Sequence, residues 1–217
     1  MTPNLSLKLS PNGLCCFSGH HYPFVRADGA SLASTLGVTN HTHRTSMPRY
    51  VAFLRGVSPL NAKMSELKHC FESAGFEDVR TLLSSGNVAF STGSSKEPLL
   101  ARKAEAAMQA RLGRTFSTIV RSASHLQKLI EADPFKDFQL APKAKPVVTF
   151  LPEALKSPPK LPIELDGAFI HEMRGLEVFV SYVPNQKGPV FMALLERTFG
   201  KSITTRTLET VRRCAMA

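Results

Sequence analysis

The feature that most constrains the fold is the alternation of strand-like and helix-like apolar patterns along residues 50–120. Four short aliphatic and aromatic runs have the composition of strands: residues 50–54, 79–83, 88–91 and 116–120. Two longer segments place apolar residues at helical spacing and end at a glycine: residues 67–75 and 100–113. Ser94 and Glu97 have capping-box spacing just before the second helical pattern. The order is β-α-β-β-α-β, the split βαβ arrangement of ferredoxin-like folds.

The second half of the chain has a similar succession of patterns without repeating the sequence. A linking helix is predicted at residues 124–132, ended by Asp133-Pro134. Further strands are predicted at residues 147–151, 168–173, 176–182 and 202–205. Any helix in the proline-rich stretch after residue 151 is expected to be short. A further helix is predicted between Gly188-Pro189 and Gly200, and a last one is capped by Thr207. We therefore expect an α/β (α+β) protein: two tandem ferredoxin-like α/β plaits, each β-α-β-β-α-β with a mainly antiparallel sheet.

The first 46 residues differ from the rest of the chain. They show no sustained apolar period and are rich in Ser, Thr, Asn, Gly and His. We expect a poorly ordered extension or a mis-annotated start, with Met47 as the alternative translation start; a targeting peptide is the other interpretation. The predicted division is an extension at 1–46, a first plait at 47–122, and a linking helix, second plait and C-terminal helix at 123–217.

Composition narrows the class of protein and its partners. Lys and Arg number 27 against 17 Asp and Glu, so the net charge of +10 favours anionic partners. No apolar run reaches the roughly 18 residues of a membrane span, so no membrane partner is expected.

The cysteines bear on the compartment and on metal binding. The four cysteines, Cys15, Cys16, Cys70 and Cys214, include no Cys-x-x-Cys pair, and the cytoplasm is the expected location. The adjacent pairs Cys15-Cys16 and His20-His21 do not match zinc-ligand spacing. No G-x-x-x-x-G-K-[ST] loop occurs either, so we expect no metal and no cofactor.

Six residues are predicted to meet at one edge of the first sheet. In a split βαβ unit this edge gathers the end of strand one, the start of helix one and the hairpin between strands two and three. The residues are Arg55, Asn61, Lys63, Ser85, Gly86 and Asn87. Cations, amides and hydroxyls beside a helix N-terminus suit an anion, so we predict a site for a phosphate- or carboxylate-bearing small ligand. The secondary candidates are Arg121, Lys187 and Arg206.

Three alternatives stay open beside this prediction. The hairpin can be a tight turn only, because Gly and Asn tolerate positive φ, with Arg55 paired to a carboxylate. A charge-driven nucleic-acid-binding module is the second, although Phe53 and Phe90 are expected in the core rather than on a base-stacking surface. An enzyme is the third: His69 and His125 lie on predicted helices, but no catalytic motif selects a reaction. The ligand, any catalysis and the oligomeric state stay open.

An ordered set of short motifs resembles a known family. The motifs include Tyr50-Val51-Ala52-Phe53-Leu54-Arg55-Gly56-Val57, Lys63-Met64-x-Glu66-Leu67, Gly75-Phe76-x-x-Val79-Arg80-Thr81, Ser85-Gly86-Asn87-Val88-x-Phe90, Val120-Arg121-Ser122 and Thr204-Thr205-Arg206. Together they resemble the bacterial domain of unknown function 1697 family over about residues 47–217. The resemblance implies a pair of α/β plait subdomains and no established activity. The loop after Gly56 departs from the family's glycine-rich pattern, and Thr207-Leu208 stands where the family tends to have Asn-Trp.

Overall fold

The structure is a computed structural model that describes residues 47–184 and 190–217. The strands in these ranges are β1 (Arg49–Leu54), β2 (Glu77–Leu82), β3 (Asn87–Ser91), β4 (Thr118–Ser122), β5 (Lys145–Phe150), β6 (Ile163–Leu165), β7 (Ala168–Arg174), β8 (Glu177–Tyr182) and β9 (Thr204–Thr207). The helices are α1 (Met64–Ser73), α2 (Glu97–Leu112), α3 (Ala123–Glu131), α4 (Val190–Phe199) and α5 (Leu208–Ala215). The predicted extension at 1–46 and the predicted start of α4 at Gly188-Pro189 lie outside the described residues.

The first half has the predicted element order. Its four strands form a sheet in the order β2-β3-β1-β4, and every neighbouring pair is antiparallel. Helices α1 and α2 cover one face because their apolar side chains recur at helical spacing. Leu67 and Phe71 of α1 and Met108 of α2 are fully buried against that face. The β2–β3 hairpin turns at residues 83–86, as the Ser-Gly-Asn sequence predicts.

The second half departs from the prediction. Its strands form an antiparallel sheet in the order β6-β7-β8-β5-β9. No helix forms between β5 and β6, so the expected β-α-β-β-α-β succession is wrong here, and the short strand β6 is added at the sheet edge. The physical reason is the run of prolines: Pro152, Pro158, Pro159 and Pro162 lack an N–H donor and clash with a helical turn.

Two smaller predictions about boundaries are also wrong. The residue before α2 is Lys96, and no side chain caps that helix, so the capping box at Ser94 does not form. The Glu97 carboxylate instead accepts the Ser122 N–H of β4 at 2.8 Å. Strands β4 and β9 each begin two residues later than predicted, because pairing with the central strands β1 and β5 sets their limits. The Thr207 cap of α5 is confirmed, since its hydroxyl accepts the Thr210 N–H.

The two sheets share one hydrophobic cluster. The face of the first sheet opposite α1 and α2 contributes Val51 and Phe53, and the second sheet contributes Phe150 and Phe179. The Phe53 and Phe150 rings stack with centroids 4.5 Å apart. Helices α3 and α5 pack together and add apolar residues to the same cluster. The described chain therefore has three apolar layers: one under α1 and α2, one shared by the two sheets, and one between the second sheet and α4.

We predict that Gly86→Ala destabilises the fold strongly. Gly86 has φ +74°, and an added Cβ would lie 2.7 Å from Cβ of Val57 and 3.1 Å from Cβ of Leu54. The strain and the clash together are expected to lower the free energy of unfolding by about 3 kcal/mol. Gly56→Ala is the control, because Gly56 has the same φ with nothing within 4 Å and is expected to lose about 1 kcal/mol. Urea denaturation measures both; equal losses would contradict the clash.

Candidate functional site

The edge predicted from the sequence exists, and the β1–α1 loop and the β2–β3 hairpin meet there. The Leu54 N–H donates to the Gly86 carbonyl at 2.8 Å. Asn61 closes the β1–α1 loop: its amide donates to the Gly56 carbonyl at 2.7 Å and its side-chain oxygen accepts the Ser58 N–H at 2.8 Å. Lys63 precedes α1 and is exposed, with its backbone N–H on the Glu66 carboxylate. The structure brings the predicted segments together, but both polar groups of the Asn61 side chain are already hydrogen-bonded within the β1–α1 loop.

The polar groups of the hairpin hold an arginine from the other sheet. Asn87 is fully buried, and its side-chain oxygen accepts from Nε of Arg206 at 2.6 Å. The Asn87 amide donates to the Leu82 carbonyl and to Oγ of Ser85. The Arg206 guanidinium also donates to the carbonyls of Leu54 and Ser85, at 2.8 and 3.1 Å. Burial lowers the pKa of Arg206 to about 10, so it stays charged at neutral pH.

Arg55 joins the same edge to α4. Its guanidinium donates to Glu196 at 2.6 Å and to the Ile203 carbonyl at 2.7 Å. The side chain is 31% exposed, so part of its surface faces a cleft of about 270 Å³. The cleft, called here the Arg55 cleft, is lined by Arg55, Gly56, Met192, Thr204, Thr205 and Arg206. Of the six residues predicted at this edge, Arg55 lines this cleft, Lys63 and Ser85 are exposed outside its lining, and Asn87 is fully buried.

The structure describes two of the three secondary candidates, Arg121 and Arg206, and both are bonded within the protein. Lys187 lies outside the described residues. Arg121 is buried and donates to Glu177 at 2.7 Å and to the Leu151 carbonyl at 2.7 Å. Arg121 therefore reaches the second sheet from β4.

Arg121 and Arg206 occupy equivalent positions in the two halves. Each lies in the edge strand that pairs with a central strand, opposite Val51 and Val148 respectively. Each guanidinium lies over a phenylalanine of the other sheet, and each donates to the carbonyl of the residue after that phenylalanine. Each also donates to the first residue of a strand in the other sheet, Glu177 for Arg121 and Asn87 for Arg206. We call this pair the reciprocal arginine clamps.

Beside the Arg121 clamp lies a cleft of about 210 Å³ that the sequence prediction did not include. It is lined by His125, Lys128, Leu129, Ala132, Pro134, Arg174, Glu177 and Phe179, and is called here the His125 cleft. Helix α3 presents His125 and Lys128 because Ser122 caps its first turn. Nε2 of His125 lies 3.3 Å from Glu177, whose other oxygen is held by Arg121. The Arg174 guanidinium lies over the Phe179 ring, with its centre 5.0 Å from the ring centroid.

The histidine and glutamate in this cleft shift each other's protonation. The hydrogen bond to Glu177 raises the pKa of His125, although partial burial acts the other way. Burial acts to raise the pKa of Glu177, but hydrogen bonds from His125 and Arg121 outweigh it and the pKa lies below its usual value. Glu177 is therefore an anion at neutral pH, and the protonated form of His125 persists to higher pH than in a free histidine.

The sequence contains only a weak signal for the His125 cleft. His125 and Arg121 are four residues apart on a strand and the helix that follows it, while Glu177 is 52 residues beyond His125. Nothing in local spacing joins them, because their proximity depends on how the two sheets pack. Phe53 and Phe90 are buried, as the sequence predicts, and so is Tyr50, the other aromatic residue that an RNA-binding sheet would expose.

Neither a metal-binding cluster nor a membrane-spanning helix is present in the described ranges. Within residues 47–184 and 190–217, no group of three or more His, Cys, Asp or Glu side chains is arranged to hold a metal ion. In the same ranges, none of the helices is both long and apolar enough to span a membrane. The pairs at Cys15-Cys16 and His20-His21 lie outside the described residues.

These observations define an α+β protein with antiparallel sheets whose halves are joined by buried arginines. The family model for a protein of unknown function, DUF1697, matches residues 47–164, and the chain belongs to that family. Its structure is similar to that of a conserved bacterial protein of Streptococcus pneumoniae, with a TM-score of 0.59 and 23% sequence identity over 79% of this chain and 98% of the other. This likeness shows the fold alone. No curated protein is significantly similar in sequence.

We predict that Arg206→Met lowers the free energy of unfolding by about 3 kcal/mol, because the buried Asn87 oxygen and several carbonyls lose their donor. Arg213→Met is the control: Arg213 is exposed and pairs only with Glu209, so the loss is expected to stay below about 0.5 kcal/mol. Thermal and urea denaturation measure both variants. Unchanged stability in Arg206→Met would contradict the clamp and return this arginine to the list of ligand-binding candidates.

Proposed function

We propose that this protein binds a small anionic ligand, carrying a carboxylate or a phosphate, in the His125 cleft. The single observation that carries the proposal is the convergence of three basic side chains, His125, Lys128 and Arg174, on one cleft with an apolar wall. Two of them already have a carboxylate partner, Glu177 for His125 and Glu172 for Arg174. Lys128 is exposed and makes no ion pair in the part of the chain that the structure describes. A free ammonium at the mouth of a cleft is available to an anion without breaking an internal contact.

The other clamp supplies an internal comparison that supports this choice. Ser122 and Thr207 cap α3 and α5 at equivalent positions, so His125 corresponds to Thr210, and Glu177 corresponds to Asn87. At the Arg206 clamp, neutral Asn and Thr side chains at these positions are therefore enough to join the sheets. The Arg121 clamp has an ionisable histidine and glutamate instead, which joining the sheets does not require. This difference favours a ligand-binding role for the histidine and glutamate.

The size and lining of the cleft indicate the class of ligand. About 210 Å³ accommodates a molecule of a few carbon atoms with one anionic group. Leu129, Pro134 and Phe179 would contact an apolar body, while Lys128 and Arg174 would contact the anion. A short aliphatic carboxylate fits this division better than inorganic phosphate, which has no apolar part.

The Arg55 cleft is the second candidate site for the same class of ligand, because Arg55 is partly exposed there beside Thr205 and Arg206. In this site an anion would compete with Glu196 for the Arg55 guanidinium. The predicted neighbours Ser85, Gly86 and Asn87 would act by supporting Arg206 rather than by touching the ligand. Lys63 and Asn61 would border the same edge.

We predict that Lys128→Gln weakens binding of butanoate at least about tenfold, because the ammonium contributes a charge-assisted contact of about 1.5 kcal/mol or more. Lys156→Gln is the control, since Lys156 is exposed and lines neither cleft. Titration followed by NMR of the His125 imidazole measures the affinity. Inorganic phosphate and a labelled single-stranded RNA are titrated in parallel.

Arg55→Gln separates the two candidate sites. Loss of butanoate binding in Arg55→Gln but not in Lys128→Gln would move the site to the Arg55 cleft. RNA binding that falls steeply with salt and is spread over many Lys and Arg residues would instead favour the nucleic-acid alternative. No saturable response to butanoate or phosphate would overturn the proposal.

We also propose that the two halves are variants of one plait. Read from its β9 edge, the second sheet has the order β9-β5-β8-β7, which parallels β4-β1-β3-β2 in the first sheet. The equivalent positions of Arg121 and Arg206 support this correspondence. The missing first helix and the added β6 are then local changes in the second copy.

A further inference from the structure

We propose that His125 is a catalytic acid–base group that moves a proton on the carbon next to the ketone of a small 2-oxo acid bound in the His125 cleft. The inference rests on the proposed function, since it needs an anion to bind there. It adds a reaction, the interconversion of the keto and enol forms. The reaction needs no oxidant, reductant or second substrate.

The geometry of the His125–Glu177 pair supports this assignment. Glu177 is 4% exposed and lies 3.3 Å from Nε2 of His125, and Arg121 fixes the carboxylate from the other side at 2.7 Å. A carboxylate in this position favours the tautomer whose proton is on Nε2, so the lone pair of Nδ1 is left as the base. The His125 side chain is 46% exposed and lines the cleft, where a substrate can reach it. Glu177 is thus a positioning residue, and Arg121 positions Glu177.

The proton transfer balances within the substrate and one histidine. Neutral His125 takes the proton from the carbon beside the ketone through Nδ1. The electron pair of that C–H bond forms a carbon–carbon double bond, and the C=O pair moves onto the oxygen. Lys128 or Arg174 stabilises the enolate oxygen as its charge develops, and the other holds the carboxylate. Return of the proton from His125 to carbon or to oxygen gives the ketone or the enol.

The charges around His125 set its working pH range. Glu177 on β8 favours the protonated form, and so does Glu97 on α2, whereas Arg121 on β4 disfavours it. Lys128 on α3 and Arg174 on β7 also line the cleft, and their positive charges disfavour the protonated form of His125. Because the base must be neutral, the exchange rate is expected to rise with pH and to level off above the pKa of His125.

The experiment measures hydrogen–deuterium exchange at the C3 methylene of 2-oxobutanoate in D2O by proton NMR, with the full chain. We expect the protein to accelerate exchange about 100-fold or more over buffer, a typical contribution of a positioned acid–base group. His125→Gln is expected to return the rate to within about twofold of buffer. His69→Gln is the matched control, because His69 is also on a helix and pairs with a glutamate, Glu72, at 3.1 Å, but lines none of the clefts described above.

Glu177→Gln tests positioning. We expect a lower His125 pKa by NMR and a pH profile shifted to lower pH, which a purely structural residue would not produce. Denaturation curves establish that each variant folds. Binding of 2-oxobutanoate is measured on the same samples: binding without acceleration, or acceleration retained in His125→Gln, overturns the catalytic inference alone. Absence of binding overturns the proposed function as well.

Discussion

The reciprocal arginine clamps hold the two halves of this protein together. Arg121 and Arg206 each leave an edge strand of one sheet and donate hydrogen bonds to the backbone at the end of a central strand in the other. The arginines thereby supply hydrogen-bond donors to the backbone carbonyls of Leu151 and Leu54, which lie at the ends of the central strands. Each guanidinium also lies over the phenylalanine beside that carbonyl, Phe150 or Phe53, and those two rings stack on each other. The stacked phenylalanine rings and the arginine hydrogen bonds therefore lie in the same layer, between the two sheets.

Burying two cations in that layer is costly, and the chain offsets the cost in two different ways. Arg121 faces the buried carboxylate of Glu177, which compensates its charge directly. Arg206 has no carboxylate partner among the contacts around it; its guanidinium donates to the Asn87 side-chain oxygen, the Thr204 hydroxyl and backbone carbonyls. Burial lowers the pKa of Arg206, and no carboxylate among these contacts offsets that effect.

The sequence predicts local structure well wherever local chemistry decides it. Helical spacing in α1 and α2 and the Ser-Gly-Asn turn before β3 are local signals, and the structure follows them. The helix that fails to form between β5 and β6 also has a local cause, the proline run, but other failures are non-local. Glu97 leaves its expected capping box because the β4 edge needs an acceptor for the Ser122 N–H. Arg55 and Asn87 have the chemistry of an anion site in sequence, but their partners Glu196 and Arg206 come from more than 100 residues away. No spacing rule could show that these groups are already paired.

The difference between the two clamps links the fold to function. A clamp needs only acceptors for its guanidinium, and at Arg206 neutral side chains supply them. At Arg121 the acceptor is ionised and adjoins a histidine that borders open space. Glu177 is buried and compensates Arg121, whereas His125 is half-exposed. In the proposed function, Glu177 supplies His125 with a defined tautomer and a raised proton affinity. The strand that carries the Arg121 clamp leads directly into the helix that carries His125, so the clamp and the proposed site are built from adjoining elements.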